Sequence, residues 1–319
     1  MRVLITGANG FVGRELLVNL ERVPGVSLRA AVRVRADLPH TTEVHAVGDI
    51  AASPDWSPAL RSCDAVVHLA ARVHVMQETA SDPAAVFRRV NTDGTLTLAR
   101  QALVAGVRRF VFLSSVKVNG EQTAAGQSFS AQDATNPADP YAVSKLDAER
   151  GLREIAGRSG LEVVIVRAPL VYGPGVKANF LRLLRWVERG WPLPLAAVRN
   201  RRSLVSVWNL CDLLGNLLAN PRATGGTWMV SDGEDLSTPE LVRRMARAMN
   251  RRARLLPVPV KLLRAGGALA GREAQVMRLC DSLTVDTRPT HDQLGWSAPV
   301  SVDEGLRRTV AWYLSQAAP

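Results

Sequence analysis

The chain predicts an α/β fold: a doubly wound parallel sheet with a smaller, mixed α/β second domain. Three observations carry this. Short apolar runs alternate with helical segments from residue 1 to about 170. The first run leads into a glycine turn, Gly7, Gly10 and Gly13, and then into a helical stretch. Past Pro169 the pattern changes to short helices punctuated by prolines. Strands that alternate with helices pair in parallel, because each helical crossover returns the chain to the same end of the sheet.

The predicted strands are residues 3–5, 28–32, 65–69, 110–113 and 163–166, all short and apolar, as strands buried on both faces must be. Helices are predicted over 14–20, with Leu16, Leu17 and Leu20 on one face, and over 86–105 and 141–156. These elements make residues 1–170 the first domain. Residues 171–319 form most of the second, with a return to the first around 203–230. In the second, Pro174, Pro192, Pro194, Pro257 and Pro259 bound helices at 180–188 and 238–249, and 203–207 reads as a brief strand. Trp186, Trp191, Trp208 and Trp228 read as packing residues.

Composition narrows the function. At 319 residues, 47% hydrophobic and 22% charged, the chain is an ordinary globular protein. No stretch of about twenty uninterrupted apolar residues predicts a membrane span. A strand starting almost at Met1 reads as a chain with no targeting segment before it, so the expected location is cytoplasmic. Cys63, Cys211 and Cys280 lie far apart and fit reduced core thiols. No metal site is expected: His40, His45, His68, His74 and His291 lack ligand spacing. His68 reads as a packed core histidine and His74 as a candidate for a pocket mouth. The net charge of +11 is spread among scattered arginines, which argues against a nucleic-acid partner. It leaves attraction of an anionic nucleotide substrate, or loose contact with an anionic membrane surface without stable insertion.

Two constellations carry chemistry. In the spacing G-x-x-G-x-x-G, glycines let the backbone approach a pyrophosphate, and the following helix start offers free N–H groups to that anion. Tyr141 and Lys145 stand four apart at a helix start, on one face, where an ammonium can lower a phenol's pKa and make it an acid or base. The strand over 110–113 ends in Ser114-Ser115, at the sheet edge where α/β folds bind ligands.

Together these residues resemble the extended short-chain dehydrogenase/reductases, of the nucleotide-sugar epimerase/dehydratase branch. The matching pieces are Thr6-Gly-Ala-Asn-Gly-Phe-Val-Gly13, Gly48-Asp-Ile50, His68-Leu-Ala-Ala71, Asn91-x-x-Gly94-Thr95, Ser114-Ser115, Tyr141-x-x-x-Lys145 and Arg167-Ala-Pro-Leu-Val-Tyr-Gly-Pro174. The resemblance implies a Rossmann domain with Ser115, Tyr141 and Lys145 as the catalytic set. Asn119 departs from it, standing where the family has tyrosine. For the cofactor it implies Gly7, Asn9, Gly10, Phe11, Val12, Gly13, Asp49, Ile50, Leu69, Ala70, Ala71, Asn91 and Pro169, besides Tyr141 and Lys145. For a nucleotide-diphosphate sugar, UDP-linked, it implies Ser115, Asn179, Leu193, Leu195 and Arg202. It also implies a homodimer built on the helices over 86–105 and 141–156.

Two finer expectations follow. Arg33 stands where NAD enzymes of this fold carry an acid, and the first acid is Asp37, so NADP(H) is favoured and NAD(H) remains possible. A 4,6-dehydratase needs an acid and a base after the serine or threonine, and Val116 and Lys117 supply neither. Strand alternation points Lys117 at the pocket, to bind a substrate oxygen, or else to meet a carboxylate or cap a helix. The expected reaction is 4-epimerisation of a UDP-sugar in surface-polysaccharide synthesis. The alternative is an NADPH-dependent UDP-4-keto-6-deoxy-sugar 4-reductase, and a remote one is a non-catalytic NADP sensor.

Overall fold

The computed structural model describes residues 1–38, 42–73 and 82–317. The strands are β1 (Arg2–Thr6), β2 (Ser27–Val32), β3 (Glu43–Ala46), β4 (Ala65–His68), β5 (Arg109–Ser115), β6 (Glu162–Ala168), β7 (Leu170–Tyr172), β8 (Leu204–Ser206) and β9 (Thr227–Met229). The α-helices are α1 (Phe11–Glu21), α2 (Ser57–Leu60), α3 (Pro83–Phe87), α4 (Gly94–Val104), α5 (Pro140–Gly157), α6 (Ala178–Glu188), α7 (Val207–Ala219), α8 (Thr238–Ala248), α9 (Val260–Leu269), α10 (Glu273–Cys280), α11 (Arg288–Leu294) and α12 (Val302–Ala317).

Seven strands pair in parallel in the order β3-β2-β1-β4-β5-β6-β9. The order reverses beside β1, which opens a crevice at the carboxyl ends of β1 and β4. One face buries Leu16, Leu17 and Leu20 of α1 with Leu210, Leu213 and Leu217 of α7. The other buries Leu98 and Ala102 of α4 with Ala148 and Leu152 of α5. A further cluster, from Tyr172 to Tyr313, gathers α6, α8 and α12 over the strand ends.

The predicted strands fall within β1, β2, β4, β5, β6 and β8, with small shifts at their ends. Three strands escaped prediction. β3 is a half-exposed sheet edge reading Glu-Val-His-Ala, so it shows no apolar run. β7 and β9 are three residues each, too short for a periodic signal. In the expected return around 203–230, α7 packs on the main sheet and β9 joins it beside β6, whereas the predicted strand at 203–207 forms β8 and pairs with β7. The predicted helix over 86–105 is broken in character, since a π-helical stretch, Arg88–Asp93, joins α3 to α4.

Candidate functional site

The glycine loop is built for close approach. Gly7 lies at φ +64°, and a Cβ there would come within 2.8 Å of the Ala70 backbone nitrogen. At Gly13 a Cβ would come within 2.3 Å of the Gly7 carbonyl oxygen. Gly10 caps α1 without a side chain, and no acid sits in the first turn. The helix start therefore presents unsatisfied N–H groups, the arrangement a pyrophosphate needs. Beside it lies a cleft of about 770 Å³ lined by Gly7, Asn9, Gly10, Arg33, Asp49, Ile50, Leu69, Ala70 and Ala71. These residues fit a dinucleotide: a cradle for the phosphates, beside a cleft that reaches from the ends of β1 and β4 to Arg33 after β2.

The other expected cofactor residues sit differently. The Phe11 and Val12 side chains are partly buried and pack against the core. Asn91 is fully buried and is not among the residues that line this cleft. It accepts from the Arg72 N–H at 2.8 Å and donates to the Arg72 carbonyl and to the Ser144 hydroxyl, each at 3.0 Å. Its part is to tie the loop after β4 to α5. Pro169 is buried just past Ala168, which is in register with Ser115. His74 lies outside the described residues.

His68 is a core residue, as its context predicted, and its protonation is fixed by its neighbours. The Thr6 hydroxyl oxygen accepts from the N–H groups of Leu69 and Ala70, so its proton goes to His68 Nδ1 at 2.7 Å. His68 Nε2–H then donates to the Thr95 hydroxyl at 2.9 Å, which donates to the Asn91 carbonyl at 2.7 Å. Burial, aided by the Lys145 charge, holds the imidazole at about 3, so it stays neutral.

Ser115, Tyr141 and Lys145 converge at the end of β5. Ser115 hydrogen-bonds the Tyr141 phenol and draws its pKa down, but burial first and the Asp139 carboxylate second push it up to about 12. Lys145, 3% exposed, donates from Nζ to the Leu113 carbonyl at 2.9 Å and lies 4.5 Å over the Phe112 ring. Burial lowers this ammonium to about 7, and the Glu149 carboxylate opposes that fall. This corrects the expectation of a phenol softened by its lysine. Desolvation dominates both groups, and the ammonium is directed at a carbonyl and a ring face.

Of the two readings of Lys117, the structure bears out the carboxylate partner and not the substrate oxygen. Ser115 ends the strand, and the turn Val116–Val118 breaks the alternation that aimed Lys117 at the pocket. Its Nζ meets Glu121 at 2.7 Å and Asp139 at 2.5 Å. Asp139 in turn caps α5 by accepting from the Ala142 N–H.

A second, smaller pocket lies between α6, α8 and α10, lined by Asn179, Arg202 and Arg278 among apolar residues. Arg202 gives one hydrogen bond to the Asp281 carbonyl, and burial lowers its pKa. Two guanidiniums and an amide suit a diphosphate. Arg278 carried no motif signal and was missed in the sequence. Leu193 and Leu195 are buried in the adjoining core and do not line this pocket.

The profile of the NAD dependent epimerase/dehydratase family matches residues 3–230. A Vibrio cholerae protein described as UDP-glucose 4-epimerase is 43% identical over 313 residues, covering 98% of this chain and 95% of that one. Among solved structures, MoeE5 in complex with UDP-glucuronic acid and NAD is 27% identical, with TM-score 0.78 over 99% of this chain and 100% of that one. The dTDP-glucose 4,6-dehydratase DesIV of Streptomyces venezuelae, with NAD and TYD bound, is 26% identical, with TM-score 0.79 over 99% and 97%. The glycine cradle, the Ser-Tyr-Lys set and this match over most of the chain lead to one conclusion: the protein is an enzyme of the NAD dependent epimerase/dehydratase family.

Proposed function

We propose that the chain is a UDP-sugar 4-epimerase that acts in the cytoplasm, in surface-polysaccharide synthesis. The observation that carries the reading is the 43% identity to the Vibrio cholerae epimerase over nearly the full length of both chains. In this reading residues 1–170 hold the cofactor and most of 171–319 the substrate. A bound nicotinamide dinucleotide supplies the hydride acceptor. Tyr141 removes the proton of the sugar C4 hydroxyl and later returns it. Ser115 holds the C4 oxygen beside the phenol. Lys145, held by the Leu113 carbonyl beside the site, orients the ribose. Asn179, Arg202 and Arg278 grip the diphosphate.

Arg33 lines the adenosine end of the cleft in the place of an acid, which supports NADP(H) over NAD(H). The reading against dehydration is supported by the two positions after Ser115, where Val116 is buried among Met229, Leu283 and Val285 and Lys117 is held by two carboxylates. The homodimer stays part of this reading on the family resemblance alone.

The test is incubation of purified protein with UDP-galactose, UDP-N-acetylgalactosamine and a UDP-4-keto-6-deoxy sugar. Interconversion of C4 epimers without net cofactor use is expected. Consumption of one NADPH per product, with the keto sugar only, would replace the epimerase by the reductase.

A further inference from the structure

We propose that the outer face of α9 docks on an anionic lipid bilayer. This goes beyond the 4-epimerase reading and does not depend on it. In α9 only Gly267 is fully buried, against Val276 of α10. Val260 and Leu263 are partly buried on the same side. The opposite side carries Leu262, Ala265, Gly266 and Leu269, spaced i, i+3, i+4 and i+7, so they form one stripe. All four are exposed, Leu262 at 63% and Leu269 at 92%. A monomeric soluble protein scatters such side chains singly. Here the helix turns its apolar stripe away from the protein. Exposed Leu256 lies just before α9, and exposed Met277 on α10.

The surroundings identify the occupant by charge. Residues 251–280 carry seven cations, Arg251, Arg252, Arg254, Lys261, Arg264, Arg272 and Arg278, against one carboxylate, Glu273. More than half of the chain's net charge of +11 therefore lies in this segment, which corrects the reading of that charge as scattered along the chain. Arg264 is paired to Asp281 at 2.5 Å, whereas Arg251, Arg252, Arg254, Lys261 and Arg272 are exposed. Apolar side chains that stand out from a basic surround match a bilayer with anionic headgroups: the leucines enter the acyl boundary and the cations meet phosphate. The segment before α9 also pairs through Leu255 with Leu193, two residues after Trp191, which is 49% exposed. Because α10 supplies both the packing partner of α9 and Arg278 of the diphosphate pocket, docking would hold that pocket one helix from the lipid surface.

The experiment is co-sedimentation of the full chain with phosphatidylglycerol–phosphatidylcholine vesicles and with phosphatidylcholine alone. Binding is expected only to the anionic vesicles, falling as salt rises. Leu262→Glu/Leu269→Glu should lower the partition coefficient at least about tenfold. Arg251→Glu/Arg252→Glu should lower it about fivefold or more for each cation lost. Circular dichroism and cofactor binding should match the parent in both variants, which separates lost docking from lost folding. Two results would overturn the proposal: no preference for anionic vesicles, or undiminished binding of the leucine variant, whether or not that variant converts a parent dimer to monomer.

Discussion

The Arg167 guanidinium and the Glu149 carboxylate meet fork to fork, Nε to Oε1 at 3.0 Å and Nη2 to Oε2 at 2.7 Å, with neither residue more than 2% exposed. Glu149 also accepts from the Ser114 hydroxyl at 2.6 Å, and Arg167 donates to Asn119 at 3.0 Å. The pair thus fixes the end of β5 on which Ser115 stands, one helical turn from Lys145. Glu149→Gln leaves a buried guanidinium without its charge partner. It should cost about 3–5 kcal/mol of unfolding free energy, read by urea denaturation, and should push the Lys145 ammonium below its present value.

His68 makes stability depend on acid. Its folded value of about 3 lies below the unfolded 6.5, so between the two the unfolded chain binds a proton that the folded chain does not. This contribution is therefore complete above 6.5 and is lost as pH falls toward 3, by about 1.4 kcal/mol per pH unit. Urea titrations at stepped pH across this window should show a shallower slope for His68→Gln than for the parent.

Arg202 and Arg278 face one small pocket. Arg202→Ala and Arg278→Ala should each raise KM for a UDP-sugar about tenfold to a hundredfold and leave kcat nearly unchanged, because the diphosphate is bound alike before and during reaction. Steady-state kinetics on the purified variants would check this.

Arg33 is placed to meet a 2′-phosphate. Arg33→Asp should move the ratio of NADP to NAD affinity toward NAD by about tenfold or more. Fluorescence titration with both dinucleotides measures it.

What could be read in the sequence follows from physics. Strands β1, β4, β5 and β6 are buried on both faces, so they appear as apolar runs, and the glycine loop between β1 and α1 declares itself by what it excludes. The edge strand β3, half exposed, has no such signature. The pocket-facing alternative for Lys117 failed because alternation was carried two residues past the end of β5, into a tight turn. Asn91 has the family's spacing but spends its amide on Arg72 and Ser144. Glu149 and Arg278 escaped notice because their roles come from partners distant in the chain, Arg167 for one and Arg202 for the other.

The central claim is that the Tyr141 phenol moves the proton at C4. The most direct measurement compares turnover of a UDP-sugar by the parent and by Tyr141→Phe, with dinucleotide binding followed in the same samples. The account predicts a fall in kcat of about a hundredfold to ten-thousandfold with cofactor affinity retained. Unchanged kcat in the variant would contradict it.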